Sequence, residues 1–270
     1  MDRQGMVSAA KLLDLTGGVA VVTGAGQGVG QRIALRLAEF GAAVAVNDID
    51  GERAERVAAQ IIDLGGRARG FPADVGDFDE VGAMFAAVAE SFGPVGILVN
   101  NAGNHGAGPV PDAGVPFWMQ QPSDWFGYLH VNLDGVLNAT RHAMAHMTAA
   151  GRGRVITMIS DAARVGETHG LEVYSAAKAG AAGFTRAMAR LGGKYGITAN
   201  AIALGATRTP AIEHLIADER FARQVLSNYV LRRFGEPEDA ADLTLFLASG
   251  AASWITGQTI PVNGGYAMAL

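Results

Sequence analysis

The chain has 270 residues, 49% of them hydrophobic and 17% charged, a composition that excludes disorder and suits one large α/β domain or two small ones. Its formal net charge of -5 leaves no basic footprint, so no nucleic-acid partner is predicted. The sequence has no cysteine, which excludes disulfides, thiolate zinc sites and a cysteine nucleophile and favours a cytoplasmic location.

The first 14 residues contain no long apolar run, so we expect a loose N-terminal lead-in over residues 1–14 and no signal peptide. From residue 15 to residue 270, short apolar runs alternate with helical patterns and predict a single domain. The runs lie at 19–23, 43–47, 68–72, 96–100, 154–159, 198–203 and 258–262. Most of them are apolar at consecutive positions, which is typical of strands covered on both faces in a parallel sheet.

Helical spacing separates these runs. Ile33 and Leu37 share one helix face, and a second helix follows Asp77, a predicted N-cap with Glu80 three residues later. This alternation predicts the α/β class, as a single-domain, Rossmann-like, doubly wound parallel sheet of about seven strands with helices on both faces. No segment approaches the ~18 consecutive apolar residues of a membrane-spanning helix, so no membrane association is predicted.

A glycine-rich turn, TGAGQGVG at 23–30, follows the first strand directly. Gly24, Gly26, Gly28 and Gly30 lack Cβ atoms where a backbone must turn tightly and approach a pyrophosphate. The helix that follows directs its free N–H groups and the positive end of its dipole at such an anion. A ligand-free strand–helix turn shows the same glycines, but the position in the first βαβ unit favours a dinucleotide site.

Asp48 ends the second strand, roughly 20 residues beyond the glycines, where a carboxylate can accept hydrogen bonds from an adenosine ribose. It would repel a 2′-phosphate. Along the chain no cation follows it until Arg53, and position 27 is Gln rather than a cation. Both points favour NAD over NADP. The alternative is that Asp48 only caps the next helix.

Tyr174 and Lys178 are four residues apart in YSAAKAG and therefore share one helix face. A neighbouring ammonium is predicted to lower the pKa of the Tyr174 phenol from near 10 toward the working pH. A pair with this spacing also occurs on ordinary surface helices, so the motif gains meaning only from the others in the chain.

Five ordered motifs resemble the short-chain dehydrogenase/reductase family over residues 15–266, and the segment 233–265 is similar to that family's C-terminal part. The motifs are the glycine turn, NNAG at 100–103, Asn132 in VNLDG, Ser160 in GRVITMIS, and YSAAK at 174–178.

This resemblance implies a catalytic set of Asn132, Ser160, Tyr174 and Lys178. Tyr174 would exchange a proton with the alcohol oxygen, and Ser160 would hydrogen-bond that oxygen. Lys178 would lower the pKa of Tyr174 and hold the nicotinamide ribose, while Asn132 would position a water molecule. The hydride would move between the substrate carbon and the nicotinamide.

The resemblance also implies an NAD site, with the adenine at Asp74 and Val75 and the carboxamide near Thr207 and Thr209. The implied cofactor-binding residues are Gly24, Gly26, Gln27, Gly28, Val29, Gly30, Asp48, Ile49, Asp74, Val75, Asn101, Ala102, Gly103, Tyr174, Lys178, Gly205, Thr207 and Thr209. The family's usual assembly implies a homotetramer or a homodimer.

The sequence departs from the family pattern in its spacing. The interval from serine to tyrosine is 14 positions where 13 is usual, but GRVITMIS still places Ser160, not Asp161, at the end of strand five. We therefore assign the extra residue to the loop 164–173. Leu204 replaces the usual proline before Gly205, which is expected to loosen the backbone there. The loop after Gly103 is longer than usual.

Several side chains near the predicted substrate site have open roles. Phe117, Trp118 and Trp125 either form an apolar substrate wall or pack a long loop. Of the histidines, His105 and His169 lie in loops that would flank the substrate. Arg164 and Arg208 are the nearby cations. His142 and His146, one helical turn apart, lack a carboxylate partner, so we predict a structural role for them and no metal site.

These features predict an NAD-dependent oxidoreductase that interconverts a secondary alcohol and a ketone. The small-molecule substrate is expected to be hydrophobic, such as a cyclic alcohol, a steroid or a 3-hydroxyacyl thioester. A non-catalytic NAD-binding scaffold or redox sensor is the alternative, against which the complete four-residue set argues. A nucleotide-sugar epimerase or dehydratase is a weaker alternative, because it is expected to have a longer C-terminal substrate domain.

Overall fold

A computed structural model describes residues 9–103, 115–168, 170–210 and 212–268. Its centre is a seven-stranded sheet in which every neighbouring pair is parallel, in the order β3-β2-β1-β4-β5-β6-β7. The strands are β1 (Val19–Val22), β2 (Ala43–Asp48), β3 (Arg67–Pro72), β4 (Ile97–Asn100), β5 (Gly153–Ser160), β6 (Ile197–Leu204) and β7 (Thr259–Val262).

Helices connect the strands and cover both faces of the sheet. They are α1 (Ala9–Leu12), α2 (Gly28–Glu39), α3 (Gly51–Asp63), α4 (Phe78–Phe92), α5 (Pro122–Leu129), α6 (Gly135–Ala150), α7 (Ala162–Val165), α8 (Glu172–Gly192), α9 (Glu213–Ile216), α10 (Glu219–Leu226) and α11 (Pro237–Ala248). Apolar residues of α2, α3 and α11 pack on one face of the sheet, and those of α4 and α6 on the other. None of the helices described here has the length and hydropathy needed to cross a membrane.

The strand order places a crevice at the carboxyl edge of the sheet. The chain winds outward from β1 to β3, then crosses back to β4 on the other side of β1. Connections after β1 and β4 therefore leave in opposite directions, and ligands of such sheets bind in the crevice between them. Val22, Asn100, Ser160 and Leu204 end the four central strands at this edge.

The predicted fold class is confirmed, and each of the seven predicted apolar runs forms a strand with each bound shifted by at most one residue. Asp77 caps α4 as predicted, accepting hydrogen bonds from Asp79 N and Glu80 N. The Glu80 carboxylate does not complete a capping box; it accepts a hydrogen bond from Asp74 N at 2.8 Å. Within the predicted lead-in, residues 9–12 form one helical turn, and the boundary at residue 15 stays a prediction.

Candidate active site

A cavity of about 1120 Å³ occupies the crevice at the carboxyl edge. This volume exceeds that of a typical pocket for a drug-sized ligand, so the cavity has room for a dinucleotide together with a substrate. Nearly all the predicted site residues line it: Gly24, Gln27, Gly28, Val29, Gly30, Asp48, Ile49, Asp74, Val75, Asn101, Ala102, Gly103, Ser160, Tyr174, Lys178, Gly205, Thr207 and Thr209. Gly26 and Asn132 lie behind the wall rather than on it.

The glycine turn forms one end of the cavity, between β1 and α2. Gly24 and Gly28 have φ values of 60° and 57°, a region that favours glycine. A Cβ atom on Gly24 would lie only 2.7 Å from Ala102 Cα, so the turn packs directly on the segment after β4. Helix α2 has no side-chain cap at Gln27, and its first N–H groups remain available for an anion in the cavity.

Asp48 lies beside this turn, and the structure corrects its expected surroundings. Its Oδ2 accepts a hydrogen bond from Gly26 N at 3.0 Å, and its Oδ1 accepts one from Arg53 Nη2 at 2.8 Å. Arg53 is five residues away along the chain but belongs to the first turn of α3, which folds it back onto the carboxylate and into the cavity wall. Arg53, the first cation after Asp48 along the chain, therefore lies directly beside it in space, which weakens the argument for NAD from a missing cation.

The four donors are distributed unevenly on the Asp48 carboxylate. Oδ1 accepts from Asp50 N and twice from Arg53, whereas Oδ2 accepts only from Gly26 N. A carboxylate offers about four lone-pair sites, two on each oxygen. Oδ2 consequently keeps one acceptor site for a ribose hydroxyl, which fits the predicted ribose contact.

The other end of the cavity holds the predicted reacting groups. Ser160 ends β5, while Tyr174 and Lys178 lie on successive turns of α8, with Lys178 Nζ 5.8 Å from the Tyr174 ring centroid. Ala181 and Ala182 of α8 pack in one cluster with apolar residues of β5 and β6. Their small side chains let the helix approach the sheet closely, and this approach brings Tyr174 to Ser160.

The predicted lowering of the Tyr174 pKa is not found in the protein without cofactor. Burial raises the pKa of Tyr174 to about 12, and a hydrogen bond from Ser160 only partly offsets this rise. Burial also lowers the pKa of Lys178 to about 8. The ammonium donates a hydrogen bond to Met158 O at 2.9 Å, so it is turned toward β5. Desolvation is the largest cause of both pKa shifts because both groups are removed from water.

Asn132 lies in a π-helical segment, His130–Asp134, between α5 and α6. Its side chain is fully buried and donates a hydrogen bond to Tyr128 O at 2.9 Å. A Cβ atom on Gly103 would lie 3.0 Å from Asn132 Oδ1 and 3.1 Å from Lys178 Nζ. Both polar groups therefore lie close to Gly103, and a larger residue at this position would crowd both.

Three aromatic residues that were not predicted from the sequence line the cavity from α5 and the π-helical segment after it, namely Phe126, Tyr128 and His130. Phe126 stacks on His130 at 4.7 Å between ring centroids, and His130 Nε2 lies 3.4 Å from Asp74 Oδ2. Tyr128 meets Tyr174 edge to face, with 6.0 Å between the centroids. The signal was present in the sequence, because Tyr128 precedes Asn132 by one helical turn.

The aromatic and cationic side chains whose roles the sequence left open lie away from the cavity wall. Phe117 stacks on Trp125 at 5.6 Å and Trp118 is 83% exposed, which supports loop packing over a substrate wall. Arg164 pairs with Asp161 at 2.7 Å. Arg208 pairs with Glu236 at 3.1 Å.

Of the four histidines with predicted or open roles, the structure describes two. His105 and His169 lie outside the described residues. His142 packs against the Phe85 ring at 5.9 Å, and Nδ1 of His146 accepts a hydrogen bond from Val95 N at 3.3 Å. In the part of the chain that the structure describes, no group of three potential metal ligands is close enough to hold an ion.

Comparison with known proteins agrees with this architecture. A family model described as enoyl-(acyl carrier protein) reductase matches residues 24–267. The chain is 38% identical over 247 residues to (2S)-[(R)-hydroxy(phenyl)methyl]succinyl-CoA dehydrogenase subunit BbsD of Thauera aromatica, covering 92% of this chain and 95% of that protein.

Two solved structures show the same fold with different cofactors. Gluconate 5-dehydrogenase from Burkholderia cenocepacia J2315, in complex with NADP and tartrate, superposes with a TM-score of 0.89 and 32% identity over 97% of this chain and 100% of that one. A 7α-hydroxysteroid dehydrogenase complexed with NADH and 7-oxo glycochenodeoxycholic acid superposes with a TM-score of 0.87 and 34% identity over 96% and 98% of the two chains.

The protein belongs to the short-chain dehydrogenase/reductase family. Its relatives are oxidoreductases that act on alcohols, ketones and hydroxyacyl substrates, and structures of relatives contain nicotinamide cofactors.

Proposed function

We propose that this protein is an NAD(H)-dependent oxidoreductase that interconverts a secondary alcohol and a ketone, with Tyr174 as general acid and base. The observation that carries the proposal is the arrangement of one cavity, with Ser160, Tyr174 and Lys178 at one end and the glycine turn and Asp48 at the other. A non-catalytic NAD-binding scaffold requires only the end with the glycine turn and Asp48.

The residues of the cavity fit a nicotinamide dinucleotide. The uncapped start of α2 suits a pyrophosphate, and the spare acceptor site on Asp48 Oδ2 suits a ribose hydroxyl. When bound, the nicotinamide would accept or supply the hydride. Gln27, Val29 and the NNAG segment after β4 would hold the dinucleotide along the cavity floor.

The proton step follows from the raised pKa of Tyr174. With a pKa of about 12, the phenol is protonated near neutral pH and is ready to donate its proton to the oxygen of a ketone. Ser160 lies at the same end of the cavity, where its hydroxyl can donate to that oxygen as negative charge develops. Lys178, mostly charged below its pKa of about 8, would stabilise the phenolate left behind.

In the oxidation direction, the same Tyr174 must first lose its proton before it can accept one from the alcohol. Asn132 Oδ1 and Lys178 Nζ both lie close to Gly103, so polar groups extend from the phenol to the π-helical segment. We propose that Asn132 positions a water molecule that links Lys178 to solvent, and that the proton leaves to solvent by this route.

We propose NAD as the preferred cofactor, because Asp48 offers an acceptor to a ribose and repels a 2′-phosphate. Arg53 moderates this preference, since its guanidinium partly neutralises Asp48 at the same point of the wall. The relatives with NADP and with NADH in their structures show that the family accommodates both.

The substrate is proposed to be a hydrophobic secondary alcohol or its ketone. Apolar and aromatic residues line the reacting end of the cavity, among them Tyr128, Leu204 and Ile212. The succinyl-CoA dehydrogenase subunit and the hydroxysteroid dehydrogenase are named for hydroxy substrates with aromatic or polycyclic groups. We therefore favour a cyclic alcohol, a steroid or a 3-hydroxyacyl thioester.

A homotetramer or a homodimer is proposed from the family resemblance, and the cytoplasm from the absence of cysteine.

A substrate screen tests the proposal. Purified protein is mixed with NAD or NADP and a panel of secondary alcohols, hydroxysteroids and hydroxyacyl-CoA thioesters, and reduced nicotinamide is followed by absorbance. Turnover with at least one alcohol that is lost in Tyr174→Phe supports the oxidoreductase. Tight NADH binding without turnover of any substrate in the panel would instead support the scaffold.

A further inference from the structure

The segment that follows β6 forms the wall of the cavity beside Ser160. Ser160 and Leu204 are paired in the sheet, and Leu204, Gly205 and Ala206 all line the cavity. Any movement of this segment would therefore change the space in which a substrate carbon meets the nicotinamide. What holds its backbone in place bears directly on the proposed reaction.

Pairing within the seven-stranded sheet holds this segment as far as Gly205, and beyond it Ala206 O accepts a hydrogen bond from Gly235 N at 2.9 Å. Gly205 N still donates to Val262 O of β7 at 3.1 Å, and Leu204 is paired with Val262. The looser backbone expected from leucine in place of proline stays a prediction. Ala206 is the first residue whose N–H points away from the sheet. That N–H donates to the Tyr229 hydroxyl at 2.7 Å, across 23 positions of sequence.

Tyr229 is itself held firmly. It is 6% exposed and its ring stacks on Tyr266 with 5.1 Å between centroids. The Tyr266 hydroxyl donates to Glu167 Oε1 at 2.9 Å, in the loop that leads from β5 to α8. One connected set of contacts thus runs from the loop before Tyr174, through two stacked phenols, to the backbone at Ala206.

We propose that Tyr229 is a positioning residue for the reaction, which fixes the backbone at Ala206 and so the wall beside Ser160. It touches neither substrate nor cofactor in this role. The inference rests on the proposed function, because a wall needs fixing only if something reacts against it. Tyr229 takes the place of a backbone restraint that Leu204 cannot supply, since leucine leaves φ free where proline would fix it.

The test is Tyr229→Phe, which keeps the stacked ring and removes only the hydroxyl that accepts from Ala206 N. The Ala206 N–H is partly buried, and leaving it without its partner is costly, so we expect single-turnover hydride transfer to slow about tenfold. The affinity for AMP, a probe of the distant glycine-turn end, should stay within about twofold. A purely structural defect would weaken both. Tyr195→Phe is the matched control, because Tyr195 is exposed and lies outside the cavity wall.

Amide hydrogen exchange provides a readout that does not require a known substrate. We expect faster exchange in the peptide carrying residues 204–208 of Tyr229→Phe, with β1 and α2 unchanged. Unchanged exchange at 204–208, or equal losses of AMP affinity and hydride transfer, would overturn the proposal. A wild-type protein that oxidises no alcohol would contradict the proposed function instead, while the exchange result would still decide whether Tyr229 fixes this wall.

Discussion

Replacing Arg53 with alanine should sharpen the discrimination between NAD and NADP. Arg53 Nη2 lies 2.8 Å from Asp48 Oδ1, and both residues line the cavity where the adenosine ribose is proposed to bind. A 2′-phosphate at this point would meet the Asp48 carboxylate and would need the guanidinium as its counter-charge. Without Arg53, a bound NADP would face Asp48 alone.

The magnitude follows from the exposure of the pair. Hydrogen bonds to charged groups contribute about 1.5–3 kcal/mol, and each 1.4 kcal/mol is about tenfold in affinity. The Arg53 side chain is 30% exposed, so solvent screening favours the lower end of that range. We expect Arg53→Ala to weaken NADPH binding about tenfold and NADH binding less than about threefold.

Fluorescence titration of the reduced cofactors gives both dissociation constants in one experiment. Arg56→Ala is the matched control, since it removes the same charge from the exposed side of α3 outside the cavity wall. Asp48→Ala should move the ratio in the opposite direction, toward NADPH. Equal weakening of NADH and NADPH in Arg53→Ala, or NADPH binding as tight as in the wild type, would refute the assignment of Arg53 to the ribose end.

Four further predictions test other parts of the site and fold. Tyr174→Phe should lower turnover by about 10²- to 10⁴-fold with NADH affinity preserved, and a steady-state rate near that of the wild type would contradict its role as acid and base. Gly26→Ala should weaken NADH binding, measured by titration, because its Cβ atom would lie 2.6 Å from both Asp48 Oδ2 and Arg53 Cβ; unaltered affinity would show that the turn adapts. In a pH–rate profile, ketone reduction should decline above the Lys178 pKa of about 8 while alcohol oxidation rises with pH, and parallel profiles in the two directions would count against the scheme. Burial lowers the pKa of His142, so below about pH 6.5 the unfolded chain binds a proton that the folded chain does not, and thermal stability should fall as the pH drops. His142→Phe should reduce that fall. An identical pH dependence of stability in the variant would exclude His142 as its source.

Much of the fold was predictable because its signals are local. A buried parallel strand needs consecutive apolar residues, and runs such as VAVV and ILVN carry that requirement within four positions. The glycine turn is equally local, since the missing Cβ atoms are needed by the turn itself. The proposed catalytic set comes from motifs whose order along the chain resembles a known family, and strand register places Ser160 rather than Asp161 at the end of β5.

Contacts between distant segments, and the electrostatics that follow from them, required the tertiary structure. The sequence shows Arg53 five positions from Asp48, but only the start of α3 determines that the guanidinium turns back onto the carboxylate. Likewise, Tyr174 and Lys178 are one helical turn apart in any helix, yet the close packing of α8 on β5 and β6 removes both from water. Local spacing determined which groups are neighbours. Burial, which depends on the whole fold, raises the pKa of Tyr174 instead of lowering it as predicted, and lowers the pKa of Lys178.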